Sequence, residues 1–134
     1  MSRRIAQMVL GAFMVFAGLG HLSFARETFQ AQVPPWVPLD VDLVVLASGV
    51  VEIIVGAALL LARRHPARAL VGAATAALFV AVFPGNIAQF TEHRDAFGLN
   101  SDTARGARLL FQPVLIVWAL WSTDTVAWWR SRRD

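Results

Sequence analysis

The chain has 134 residues, 57% hydrophobic and only 16% charged, against about 25% charged in soluble domains. One membrane domain covering residues 1–134 is therefore expected. It has no cysteine, which excludes disulfides, thiol redox chemistry and Cys-ligated metals. The net charge of +3 rests on arginines at the ends of apolar runs. Their expected neighbours are anionic lipid head groups rather than nucleic acid.

Four apolar runs are predicted to be spanning helices, at about residues 5–24, 43–62, 67–90 and 107–126. Each approaches the roughly 20 residues that a bilayer requires. No period-2 alternation suggests strands. The fold class is all-α, an integral membrane bundle of four transmembrane helices. The first run starts after a basic Met1-Ser-Arg-Arg and ends near Ser23-Phe24-Ala25, which resembles a cleavage site. The run is longer than a usual signal-peptide core of about 7–15 residues, so a retained span is expected.

The first loop holds Val33-Pro34-Pro35-Trp36-Val37-Pro38. Its prolines exclude a continuous helix, and Trp36 suits the interfacial layer. The turn Arg63-Arg64-His65-Pro66 is basic, with its proline placed for the first turn of the third helix. Phe83-Pro84-Gly85-Asn86 should kink or unwind the third helix near its end. Gln112-Pro113 makes a second weak point, expected near the start of the fourth.

Arginine counts give an orientation. The N-terminus, second loop and C-terminus carry Arg3, Arg4, Arg63, Arg64, Arg68, Arg130, Arg132 and Arg133. The opposite side carries Arg26, Arg94, Arg105 and Arg108. The positive-inside rule then places both termini in the cytoplasm. The all-arginine, Ala- and Val-rich composition suggests a bacterial source, and hence a multi-pass protein of the inner membrane.

Glu52 is the sharpest functional signal. It lies deep in the second run, where a carboxylate costs roughly 2.5–3.5 kcal/mol or more. Such a group faces a bundle interior or a watery cavity and needs a partner. His21 lies roughly 24 Å up the first span. Asn86 stands near the outer end of the third span, and Gln112 just inside the outer end of the fourth. One polar residue from each helix thus falls in the outer half of the membrane, with little comparable in the inner half beyond Thr75 and Ser122. His21 or Arg108 could supply the cationic neighbour of Glu52. The plainer alternative is that His21, Glu52, Asn86 and Gln112 bond one another and hold the bundle together. Gly18, Gly20, Ser48, Gly49, Gly56, Ala57 and the run from Gly72 to Ala77 would allow close helix approach. A homodimer face on the third span is also open.

These stretches carry a resemblance. Gly18-Leu-Gly-His21, the Val33-Pro-Pro-Trp-Val-Pro38 loop, Ser48-Gly-Val-Val-Glu-Ile-Ile-Val-Gly56, Phe83-Pro-Gly-Asn86 and Arg108-Leu-Leu-Phe-Gln112 occur in an order that resembles the DoxX-like family of small four-helix membrane proteins. Two departures stand out: Gly85, where that family often has Ala, and Leu110, where it often has Pro. The resemblance implies an integral membrane protein whose relatives include quinone-linked oxidoreductase subunits and assembly factors. It transfers no single activity.

Three functions stay open. One is an accessory subunit that binds a lipid-soluble ligand, for which a quinone is the candidate, and supports a membrane oxidoreductase. Candidate ligand residues are His21, Glu52, Asn86, Arg108, Gln112 and Trp36; Glu52 and His21 are candidates for any catalytic role. A second is a non-catalytic scaffold or assembly factor for a protein complex, and a third a small transporter. No covalent cofactor or metal is expected. A stand-alone enzyme with a soluble active site is the least expected, because Walker, Rossmann, metal-spacing and triad patterns are all missing.

Overall fold

A computed structural model describes residues 2–23, 36–84, 87 and 102–133. The described residues form helices and contain no strand. In chain order they are α1 (Ser2–Leu22), α2 (Val41–Leu61), α3 (Ala67–Ala81), α4 (Asp102–Ser122) and α5 (Thr125–Ser131). α1 packs most extensively on α2, α3 packs on α4, and α1 also meets α4.

The helices bury small and polar residues and expose large apolar ones. On α1 the buried stripe is Gln7, Leu10, Gly11, Met14, Gly18 and His21, at helical spacing. Its other face shows Ile5, Val9, Phe13 and Phe16. α2 buries Val45, Gly49, Gly56 and Leu59 and exposes Leu43, Val50, Ile54 and Leu61. Lipid tails solvate such outer faces, so packing relies on small residues at the seam. α1 and α2 are each long and apolar enough to cross a membrane. Leu109–Ser122 with Thr125–Ser131 passes the same test as one span broken by 53°. The chain therefore has the build of a membrane protein.

Two glycine pairs set the distance between α1 and α2. A Cβ on Gly11 would stand 2.8 Å from the Gly56 carbonyl oxygen, and one on Gly18 would stand 2.6 Å from that of Gly49. The reverse clashes are as severe: 2.7 Å from Gly56 to the Gly11 oxygen and 2.9 Å from Gly49 to the Gly18 oxygen. Each helix thus offers glycines seven residues apart, and the antiparallel pair meets backbone to backbone. Beside this seam, Leu10, Met14 and Leu59 join Ala76 and Phe79 of α3 and Leu115 and Ala119 of α4 in the core.

The boundaries follow local chemistry. Asp40 caps α2, its Oδ1 accepting from the backbone N–H groups of Asp42 at 2.9 Å and Leu43 at 3.1 Å. Pro66 occupies the N-cap of α3, one residue ahead of the first helical position. α3 stops at Ala81, with Val82 in a turn. Pro84 has no N–H for the Val80 carbonyl, so the ladder weakens before the proline itself. Residues 83–84 are helical again.

The fourth span differs from expectation. α4 begins earlier, at Asp102, which puts Pro113 well inside the helix rather than near its start. It also ends earlier, at Ser122. Thr123 Oγ1 bonds back to the Ala119 carbonyl at 2.7 Å, and Asp124 adopts a left-handed φ of 59°. Asp tolerates that conformation better than most residues. Val126, expected within the span, belongs to α5.

Candidate functional site

Val45, Gly49 and Glu52 occupy positions i, i+4 and i+7 of α2 and so share one face. His21 of α1 lies against that face. Its Nδ1 is 3.1 Å from the Val45 carbonyl oxygen, and its Nε2 is 3.2 Å from Glu52 Oε2. Gly49 makes this approach possible, because a Cβ there would stand 2.6 Å from His21 Cβ. The His21 and Glu52 side chains are only 9% and 16% exposed. The two strongest sequence candidates therefore touch, inside the pair of helices that can cross a membrane.

The hydrogen-bond partners restrict the protonation states. A carbonyl oxygen only accepts, so Nδ1 carries hydrogen. Two combinations fit this ion-pair contact: an imidazolium beside a carboxylate, or a neutral imidazole beside a carboxylic acid. Both arrangements are neutral overall and differ in the position of a single proton. A neutral pair lowers the cost of holding ionisable groups in a low-dielectric span, since an isolated charge there would be far less stable.

Gln112 is fully buried on α4 and donates from Nε2 to the Phe79 carbonyl of α3 at 2.6 Å. This bond ties α4 to α3. Trp36 stands exposed just ahead of α2. Asn86 and the Arg108 side chain lie outside the described residues.

The opposite end of the bundle corrects the expectation of an inner half with little polar content. Gln7, with no exposed surface, donates from Nε2 to the Leu59 carbonyl at 2.7 Å and the Ala62 carbonyl at 2.8 Å. Its Oε1 accepts from Arg68 Nε at 2.8 Å. Arg68 Nη2 continues to the Ser122 carbonyl at 2.7 Å. Arg4 donates to the Ala62 and Leu60 carbonyls at 2.7 and 2.9 Å. These groups close the last carbonyls of α2 and α4, which lack partners within their own helices. Trp118 Nε1 donates to the Ala6 carbonyl at 2.9 Å. Thr125 Oγ1 stands 3.0 Å from the Ala69 carbonyl oxygen and 2.6 Å from Thr123 Oγ1. Gly72 leaves room for both hydroxyls. A sequence signal for Gln7 existed: with Gly11, Gly18 and His21 it falls at i, i+4, i+11 and i+14, on one helix face.

Among the described residues no group of three or more His, Cys, Asp or Glu side chains is placed to hold a metal.

Residues 10–123 match the family described as a domain of unknown function, DUF8561. The chain belongs to that family. No curated protein and no solved structure matches it. The matched stretch begins after Gln7 and contains both glycine pairs, His21, Glu52 and Gln112.

Proposed function

We propose that the chain is a four-span integral membrane protein of the bacterial inner membrane, with both termini cytoplasmic. In this reading the His21–Glu52 pair binds a lipid-soluble, carbonyl-bearing ligand, of which a quinone is the type. The chain would act as an accessory subunit of a membrane oxidoreductase. The observation that carries the reading is the 3.2 Å contact between Nε2 and Oε2 within an apolar span. Such a pair can hold a proton for a ligand oxygen without bringing net charge into the membrane. The ordered motifs that resemble the DoxX-like family agree with it. So does the alternation of α1 to α4, which brings the start of α1, the end of α2, the start of α3 and the end of α4 together through Arg4 and Arg68. The test compares Glu52→Gln with the wild-type chain in native membranes. Quinone-linked activity should fall while the chain remains folded and membrane-inserted; unchanged activity removes the ligand role.

One observation favours a second reading, a non-catalytic scaffold for a protein complex. Gln7, Arg4 and Arg68 close helix ends, and Gln112 joins α3 to α4, so many of the buried polar groups hold helices together. Copurification of a stable partner by both wild-type and Glu52→Gln chains, with quinone-linked activity intact in both, would select the scaffold.

A further inference from the structure

At the arginine-rich end of the bundle, α4, α5 and the start of α1 enclose a groove of ≈ 360 Å³. Its apolar wall is Val117, Leu120 and Trp121, continued by Val126 and Ala127. Arg3 and Arg130 stand on its rim together with Asp124. Val117 and Trp121 are also exposed on the outer face of α4, so the groove opens onto the surface that lipid tails would cover. Arg3 engages the Asp124 carboxylate and packs its guanidinium 5.4 Å from the centre of the Trp121 ring. The 53° break between α4 and α5 creates this space by turning α5 away from the α4 axis.

We infer that this groove is a binding site for one anionic phospholipid. Its phosphate would lie between Arg3 and Arg130, with an acyl chain along Val117, Leu120 and Trp121. Charge complementarity selects the occupant. Two guanidinium groups against one carboxylate leave a positive rim, and guanidinium groups match phosphate oxygens with paired donors. A zwitterionic choline head group would bring its own cation to that rim. Trp121 suits the level where head groups meet tails. The inference rests on the membrane reading but not on any ligand at His21–Glu52, so either can fail alone.

Native mass spectrometry of the full chain in neutral detergent tests this directly. Phosphatidylglycerol and phosphatidylcholine with identical acyl chains serve as probes. The wild-type chain should retain phosphatidylglycerol preferentially. Arg130→Gln should weaken that retention about fivefold, the scale expected for one arginine near an anionic surface. Arg133→Gln, which removes the same charge outside the groove, should leave it unchanged. Ala127→Trp, which fills the groove without altering charge, should displace the lipid. Equal retention of the two lipids, equal loss in Arg130→Gln and Arg133→Gln, or full retention by Ala127→Trp would each overturn the site.

Discussion

The two ends of the α1–α2 pair use polar residues in opposite ways. At one end Gln7 and Arg4 close the backbone of α2, and Arg68 links Gln7 to the end of α4. Each of those bonds joins a side-chain donor to an acceptor in a neighbouring helix, and a helix C-terminus requires such closure. At the other end His21 meets the Val45 carbonyl and the Glu52 carboxylate well inside α2. No helix terminus there calls for a carboxylate. The glycine seam, with Gly11 against Gly56 and Gly18 against Gly49, runs between the two ends and fixes both. A buried polar group therefore says little by its type. What it says depends on whether the backbone around it needs a partner.

This contrast predicts that the closing end governs stability and the pair governs ligand binding. The largest effect is expected from Gln7→Leu. It removes two donated bonds to the end of α2 and the acceptor of Arg68, which should cost about 2–3 kcal/mol. Unfolding in a mixed micelle, followed by circular dichroism, reads that loss. An unchanged midpoint would mean that the Gln7 bonds do not hold the end together.

Gly18→Ala should follow, at about 2 kcal/mol. The new methyl meets the Gly49 carbonyl and Ile53, and overpacking at a rigid contact costs on that order. Because Gly18 and Gly49 stand beside His21, the same variant should also disturb the pair. A Gly18→Ala chain with normal stability would contradict the close approach of α1 and α2.

The smallest expected effect is at Asp124. Asp124→Asn keeps a residue tolerant of the left-handed backbone but removes the carboxylate that engages Arg3. That half-exposed ion pair should contribute only about 0.5 kcal/mol. The difference from wild type should disappear in high salt, where exposed charges are screened. A large loss that persists in salt would show that the break between α4 and α5 depends on more than this pair.

Two of the four expected spans, α1 and α2, were legible in the sequence because lipid imposes a simple rule of length and apolarity; the third, expected to reach residue 90, is the shorter apolar helix Ala67–Ala81 among the described residues. The starts and ends of α1 and α2 fall within a few residues of the expected runs. Glu52 was legible as an anomaly in an apolar run, and His21 as a polar residue on the neighbouring helix. Their contact was not, since depth along a helix leaves its rotation open. Gly49 fixes that rotation, but only once α1 is known to lie against it. The end of α4 was hidden for a different reason. Ser122, Thr123 and Asp124 interrupt the run only briefly, and hydropathy averages over them. Thr123 back-bonding and the positive φ of Asp124 still break the helix. Gln7 stands out less, because one amide near a helix start is ordinary, and its role appears only when the ends of α2 and α3 arrive beside it.

In the proposed function, Glu52 serves ligand binding rather than bundle stability. Calorimetric titration of a short-chain quinone into the chain in nanodiscs, for wild type and Glu52→Gln, tests it most directly when the melting temperature is taken on the same samples. The wild-type chain should bind, and Glu52→Gln should bind at least about tenfold more weakly, the equivalent of about 1.4 kcal/mol. The two chains should melt within a few degrees of each other. Equal binding by the two chains, no binding by the wild type, or a Glu52→Gln chain that fails to fold would contradict it.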